Sequence, residues 1–289
     1  CQGSGSSHIN STKVPSIAEL IAGRDEIAYA KGFDLDAEEP DESLQAEAAA
    51  LAKESDVTVI FAGLPNRYES EGADRKHMRI PENQNALISA VAEVSDKVAV
   101  VLFNGSPGEM PWKDDVEAIL EMYLGGDGVS EAAMALLYGE ANPSGKLAET
   151  FPVKLADNPS YLNFPGEAGV AEYHEGIYVG YRYYDKKEME VLFPFGHGLS
   201  YTTFAYSDLK ISAEKITDQE KLTVSVTVTN TGDRAGKEVV QLYVGSTNSS
   251  VRRPVRELKR FAKVALNPGE SREVTFTLNA HAFAYYEVK

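Results

Sequence analysis

The chain has 289 residues, 43% of them apolar and 25% charged, with a formal net charge of −16 at pH 7 and a single cysteine, Cys1. That length suits two domains with cores of their own, which need neither metals nor disulfides to fold, and one cysteine leaves no internal disulfide to build. The acidic balance argues against nucleic acid, whose phosphates demand clustered Lys and Arg, and suits a neutral substrate. The apolar run Val98–Phe103 is far too short to cross a bilayer, so no membrane role is expected. Sequons at Asn10, Asn104 and Asn248 are short patterns that carry little weight, and the compartment stays open.

The first half alternates helix and strand signals. Asp41 to Ser55 places Leu44, Ala48, Leu51 and Ala52 on one helical face. Val57 to Gly63 is a β-branched run that predicts a buried strand. A helix follows over Glu82 to Ser95, with Leu87, Ala90, Val91 and Val94 at helical spacing, then strands over Lys97–Phe103 and Ala118–Leu124. The turn Gly125-Gly-Asp-Gly128 leads into a helix from Val129 to Tyr138. Alternation of this kind predicts an open, mostly parallel α/β sheet over residues 1–150, covered by helices on both faces.

From about Asn142 to Thr203 the periodicity fades, and Pro143, Pro152, Pro159, Pro165 and Pro194 punctuate a tyrosine-rich stretch. A connecting segment over 151–204 is expected, too aromatic to be a free linker. Tyr173, Tyr178, Tyr181, Tyr183 and Tyr184 suit packing between domains better than a sugar-stacking platform. The last third, 205–289, alternates with period two: in Leu222-Thr-Val-Ser-Val-Thr-Val-Thr229 every even position is apolar and every odd one a hydroxyl residue. Further runs over Glu238–Val244, Leu258–Leu266 and Val274–Leu278, with a turn at Asn267-Pro-Gly-Glu270, predict an antiparallel β-sandwich.

Ligands collect beyond the carboxyl ends of the strands in such a sheet. The loop after the first strand carries Arg67, Glu69, Glu71, Asp74 and Arg75 within nine residues, with Gly72 offering a sharp turn. A carboxyl group there can serve as a general acid if partial burial raises its pKa. On the residues alone, a loop this charged is better explained as a solvated surface.

Glu69-Ser-Glu-Gly-Ala-Asp-Arg75, followed by Ile80-Pro81 and Gln84, resembles the acid/base loop of glycoside hydrolase family 3. Asn142-Pro-Ser-Gly-Lys-Leu147 with Thr150-Phe-Pro152 is similar to the family's segment leaving the α/β domain. Tyr173 to Tyr184 and Phe193-Pro-Phe-Gly-His-Gly-Leu-Ser-Tyr-Thr202 are similar to its connecting segment. Arg253-Pro-Val-Arg-Glu-Leu-Lys-Arg-Phe261 and Leu266 to Glu270 resemble its fibronectin type III-like domain. The resemblance runs from Gly3 to about Val288.

The resemblance implies a retaining β-glucosidase that removes terminal β-D-glucosyl residues with two carboxylates, roughly 5–5.5 Å apart. Carried over by position, the acid/base is Glu71, immediately before Gly72, with Glu69 as the rival on the same loop. Asp74 and Arg75 are expected to support the loop, pairing with each other or with the backbone, and Arg67 and Tyr68 to line an aglycone subsite or simply face solvent. The family's nucleophile is an aspartate in a Ser-Asp-Trp-type motif on a (β/α)8 barrel. Here the one tryptophan, Trp112, lies in Met-Pro-Trp-Lys-Asp, and the Ser-Asp pairs at Ser55, Ser95 and Ser207 are followed by Val, Lys and Leu. The nucleophile is therefore expected on a barrel absent from this chain, both ends read as truncated, and the chain by itself is expected to be inactive. Open sheet edges at the truncated ends predict a tendency toward a homo-oligomer. A β-xylosidase or other β-glycosidase is the alternative within the family, and a non-catalytic carbohydrate-binding or interaction module the alternative outside it.

Other motifs carry less. Gly3-Ser-Gly-Ser-Ser-His8 lacks the third glycine of a dinucleotide fingerprint, and the family resemblance makes it a turn near the sugar. No Lys-Ser/Thr follows Gly125–Gly128, and no Gly-x-Ser-x-Gly elbow occurs. Histidines at 8, 77, 174, 197 and 281 lack metal-ligand spacing, so neither metal nor cofactor is expected.

Overall fold

The computed structural model describes residues 10–286. The chain divides into two compact units, one running to Ala141 and taking in Pro152–Ala156, the other comprising Asn142–Phe151 and the chain from Asp157 onward. In the first unit, β1 (Thr58–Gly63), β2 (Val98–Phe103) and β3 (Ala118–Glu121) form a parallel sheet in that spatial order. Register runs Thr58 opposite Val98 to Gly63 opposite Phe103, and Ala99 opposite Ala118 to Leu102 opposite Glu121. The strands therefore end together at Gly63, Phe103 and Glu121, and their three following loops leave from one edge. β2 is central, and Val98, Val100, Val101 and Leu102 are buried, as a strand covered on both faces requires.

Helix α1 (Ile17–Ile21) lies against α4 (Val129–Leu137), and α2 (Glu42–Lys53) against α3 (Glu82–Ala92). Asp41 caps α2 by accepting from the amides of Ser43 and Leu44. α3 buries Leu87, Ile88 and Val91, but it ends at Ala92, so Val94 falls outside the helix and is exposed. Its first turn is unusual: Asn83, Gln84 and Asn85 are all buried. Each has a defined partner, as buried polar groups require. Asn83 donates to the carbonyls of Asp34 and Ala37, Gln84 accepts from the Gly63 amide at 2.8 Å, and Asn85 accepts from the Trp112 indole at 2.9 Å. Sequence periodicity extends the third strand to Leu124, whereas it stops at Glu121, whose carboxylate accepts from the Tyr123 amide.

The second unit holds the motif-rich stretch and the β-sandwich. After β4 (Phe151–Pro152), the segment expected to be irregular contains α5 (Tyr181–Lys187) and β5 (Val191–Phe193). The antiparallel strands β6 (Phe204–Ile211), β7 (Leu222–Asn230) and β10 (Ser271–Leu278) form one sheet in the order β10-β7-β6; β8 (Gly236–Val244) and β9 (Glu257–Leu266) form the other. Val228, Val240, Val264, Leu266, Val274 and Phe276 join them in a common core. β10 keeps strict alternation, but the hydroxyl face of central β7 is only partly wet, with Ser225 buried.

Motifs of this unit interlock with one another. Asn142 donates to the Ala235 carbonyl and accepts from the Ser200 hydroxyl and the Tyr201 amide. Lys146 bonds the Gly198 carbonyl at 2.6 Å and pairs with Glu238 at 3.2 Å. Tyr181 stacks on Phe195 at 4.7 Å, meets Tyr243 edge-on and accepts from the Leu258 amide, while Tyr184 is buried. Tyr173 takes no part in this packing and is 82% exposed.

Candidate active site

The loop following β1 spans residues 64–81 and is bound by the backbone at both ends. The Leu64 amide donates to the Phe103 carbonyl at 3.0 Å, and the Glu109 amide to the Met78 carbonyl at 2.9 Å. Met78, Ile80 and Pro81 are buried where the loop enters α3. Between these ends the charged side chains separate into two classes: those consumed in holding the loop, and those presented outward.

Arg67 and Tyr68 belong to the first class. Both grip Glu38, on the segment before α2. Arg67 donates through Nε and Nη2 to Glu38 Oε1 at 2.9 and 2.7 Å and through Nη1 to the Leu35 carbonyl at 2.5 Å, while the Tyr68 hydroxyl donates to Glu38 Oε2 at 2.9 Å. The Arg67 guanidinium also lies 5.3 Å from the centre of the Tyr68 ring. Desolvation alone raises the Glu38 carboxyl, but the bonds from Arg67 and Tyr68 with the charges of Arg67 and His77 outweigh it and hold the group below its ordinary value. The Tyr68 hydroxyl is pushed up by burial and by its bond to that carboxylate.

Glu69 and Arg75 fasten the loop to its neighbour after β2. Glu69 Oε1 accepts from the Gly105 amide at 2.8 Å, and a Cβ at residue 105 would stand 2.6 Å from Glu69 Oε2. Only glycine lets the carboxylate come so close to the backbone. Arg75 donates to the Ser106 hydroxyl at 2.7 Å and the Pro107 carbonyl at 3.0 Å. Burial pulls its guanidinium below the ordinary value, opposed by the charge of Glu69. Arg75 is thus tied to the loop after β2, its carbonyl partner being Pro107 rather than a group on its own loop. Asn104 continues the network, its amide donating to the Ser106 carbonyl and to Glu121 at 3.1 Å, so the loop after β2 is also tied to the end of β3. Asn104 is only 1% exposed, which closes that sequon to modification in the folded state.

What remains is the tip. Ser70, Glu71, Gly72, Ala73 and Asp74 are all exposed, between the anchors at 67–69 and at Arg75. Gly72 has φ +79°, the left-handed conformation a sharp reversal needs, with open space around its Cβ position. Glu71 stands immediately before that reversal. A carboxylate at an exposed tip with fixed feet can meet a ligand arriving from solvent, and it can give or take a proton there.

Glu38, Gly105, Asn83 and Asn85 were not singled out by sequence reasoning, whereas Gln84 belongs to the motif quoted above. Each acts through a partner distant in sequence, and none repeats with a helical or strand period. Among the described residues no group of three or more His, Cys, Asp or Glu side chains is arranged to hold a metal ion, and no helix is long and apolar enough to cross a membrane. The Gly3–His8 motif lies outside the described residues.

The model of the glycosyl hydrolase family 3 C-terminal domain matches residues 1–201, and that of the fibronectin type III-like domain matches residues 238–289. The thermostable beta-glucosidase B of Acetivibrio thermocellus is 59% identical over all of this chain, which spans 39% of that protein. The probable beta-glucosidase I of Aspergillus clavatus is 51% identical over 81% of the chain, corresponding to 28% of its own length. The crystal structure of a Bifidobacterium adolescentis GH3 beta-glucosidase superposes with a TM-score of 0.93 at 45% identity, over 98% of this chain and 42% of the other. Beta-glucosidase 3B of Thermotoga neapolitana, solved in complex with glucose, gives 0.86 at 35% identity over 99% of this chain and 44% of the other. The chain thus spans less than half the length of these relatives, and it belongs to glycosyl hydrolase family 3, as a C-terminal α/β domain followed by a fibronectin type III-like domain.

Proposed function

We propose that this chain supplies the general acid/base, Glu71, to a retaining β-glucosidase whose nucleophile sits on a (β/α)8 barrel of the longer protein. The observation that carries the proposal is the division of labour on the loop. Glu71 is exposed and stands immediately before the left-handed reversal at Gly72, whereas Glu69, the rival carboxylate, is only partly exposed, against the Gly105 amide. Glu71 protonates the glycosidic oxygen as the bond to the aglycone breaks and then takes a proton from the water that attacks the glycosyl-enzyme intermediate. Enclosure by the sugar and by the barrel supplies the partial burial that a general acid at neutral pH requires. Glu69 and Arg75 keep the loop's shape, Asp74 completes the exposed tip, and Arg67 and Tyr68 set its approach on the aglycone side.

The test uses the full-length enzyme carrying Glu71→Ala, assayed on a dinitrophenyl β-glucoside and on a β-linked glucose disaccharide, with and without azide. Activity on the disaccharide should fall about 10²–10⁴-fold, the usual contribution of general acid–base catalysis. Formation of the intermediate from the activated substrate, which needs no proton, should be spared, with azide restoring turnover as β-glucosyl azide. Equal modest losses on both substrates without an azide product would transfer the role to Glu69. A sugar affinity unchanged by the substitution, in a protein with no glucosidase activity, would make the chain a binding module instead.

A further inference from the structure

We infer that Glu38 is a positioning residue for the acid/base loop: its carboxylate fixes Arg67 and Tyr68 and thereby sets where Glu71 stands. The inference rests on the assignment of Glu71 proposed above. It begins from a chain of contacts that starts in buried structure. Asn83, in the buried first turn of α3, donates through its side chain to the Asp34 and Ala37 carbonyls, and its amide donates to the Glu38 carbonyl at 3.0 Å. The backbone of residues 34–38 is thus pinned to α3, and Glu38 projects from a fixed support.

Both oxygens of that side chain then reach the foot of the loop, Oε1 taking two N–H groups of Arg67 and Oε2 the hydroxyl of Tyr68. Arg67 is further held by the Leu35 and Ala37 carbonyls, so its planar guanidinium has four donated bonds to this one segment. Glu71 follows Tyr68 by three residues. The second foot, Arg75 on Ser106 and Pro107, lies four residues beyond Glu71. Fixing both feet leaves the short exposed tip few conformations, and catalysis by proton transfer depends on placing the acid within hydrogen-bond reach of the leaving oxygen.

The clamp is poorly suited to a role in global stability. The Glu38 and Arg67 side chains are 48% and 36% exposed, and ion pairs so exposed contribute little to folding. Their geometry instead restricts the direction of one loop, which is a demand of catalysis rather than of folding.

The test compares Glu38→Ala, Glu38→Gln and Glu71→Ala in the full-length enzyme, each with a thermal midpoint and kcat/KM on the two substrates above, and adds the Glu38→Ala/Glu71→Ala double variant. Glu38→Ala should lose about tenfold to a hundredfold on the disaccharide, in line with a misplacement near 1 Å, and far less in forming the intermediate from the dinitrophenyl glucoside. Glu38→Gln, which keeps an acceptor for Arg67, should recover part of the loss. The double variant should be no worse than Glu71→Ala, because the two residues act on one proton. Equal losses on both substrates, an additive double variant, or no loss at all, while Glu71→Ala behaves as proposed, would overturn the role of Glu38 alone. Absence of leaving-group dependence in Glu71→Ala itself would overturn the catalytic assignment and this inference with it.

Discussion

Two charged stretches of this protein look alike in sequence and behave differently in the fold. Residues 67–75 carry five charged side chains, and so do residues 253–260. In the second stretch the charges gather on two acidic partners, Glu257 and Asp185, although Arg256 and Arg260 remain exposed. Glu257, 14% exposed, gathers Arg253 at 2.8 Å with Arg182 and Lys259 at 3.5 Å, while Arg256 forks onto Asp185 of α5 and lies over the Tyr243 ring. In the first, the flanking charges are anchored and the middle of the stretch is left outward. A dense run of charge is thus no mark of function in itself; what distinguishes the loop after β1 is a carboxylate presented at a tip whose supports are spent elsewhere. Substitutions in the two regions should separate accordingly into effects on stability and effects on activity.

The largest stability effect is expected beneath the loops. Trp112 is 1% exposed and donates to Asn85 in the buried turn of α3. Trp112→Ala removes the largest fully buried side chain of this unit and should cost about 3–5 kcal/mol. Trp112→Phe keeps most of the volume but leaves the Asn85 oxygen without its donor, at about 1–3 kcal/mol. Denaturant unfolding of both variants checks the order, and a Phe variant as damaging as the Ala variant would put the weight on the hydrogen bond rather than on packing.

Next comes Glu257→Gln, which leaves three cations around a neutral amide and should cost about 2–3 kcal/mol with activity at 25 °C unchanged. The pH dependence has a definite sign. Desolvation raises the Glu257 carboxyl, but the bond from Arg253 and the charges of Lys259, Arg182 and Arg253 outweigh it, so its folded value lies below the ordinary 4.5. The stabilisation is therefore present above pH 4.5 and is lost as pH falls through the lower folded value. Thermal midpoints between pH 7 and pH 3 should fall more steeply for the wild type than for Glu257→Gln. Parallel curves would show that this cluster is a surface ornament with no hold on the fold.

Much of this contrast was legible beforehand. Period-two alternation in Leu222–Thr229 and the β-branched run Thr58–Ala62 report local burial, and both strands occur where their patterns place them. The edge strand β6 was not foreseen, because Tyr206, Leu209 and Ile211 are exposed and a bulge between Ser207 and Lys210, with Asp208 at φ +53°, breaks the alternation. Helix α5 escaped for a related reason: Tyr181-Arg-Tyr-Tyr-Asp-Lys-Lys187 has no apolar stripe and is held by Tyr181 and Asp185 contacts to β9 and its approach. At the candidate site, motif resemblance singled out Glu71, Gly72 and Arg75. Glu38 and Gly105 lie 33 and 34 residues from Glu71, and their roles arise only when the chain returns to the same sheet edge.

The smallest stability effect, and the sharpest division between the two regions, is expected at Gly72. Its φ of +79° costs an L-residue about 1 kcal/mol, and nothing lies within 4 Å of the Cβ position, so no clash adds to that strain. Because residues 70–74 are exposed, a small local turn of the tip relieves the strain without unfolding anything. Gly72→Ala should therefore leave the thermal midpoint within about 2 °C of wild type while reducing activity on the disaccharide. Asparagine tolerates the left-handed region better than alanine, so Gly72→Asn should recover a good part of that activity. A stability loss well above 1 kcal/mol in Gly72→Ala would mean that the tip is packed as tightly as the Glu257 cluster, and the distinction between an anchored foot and an exposed tip would fall.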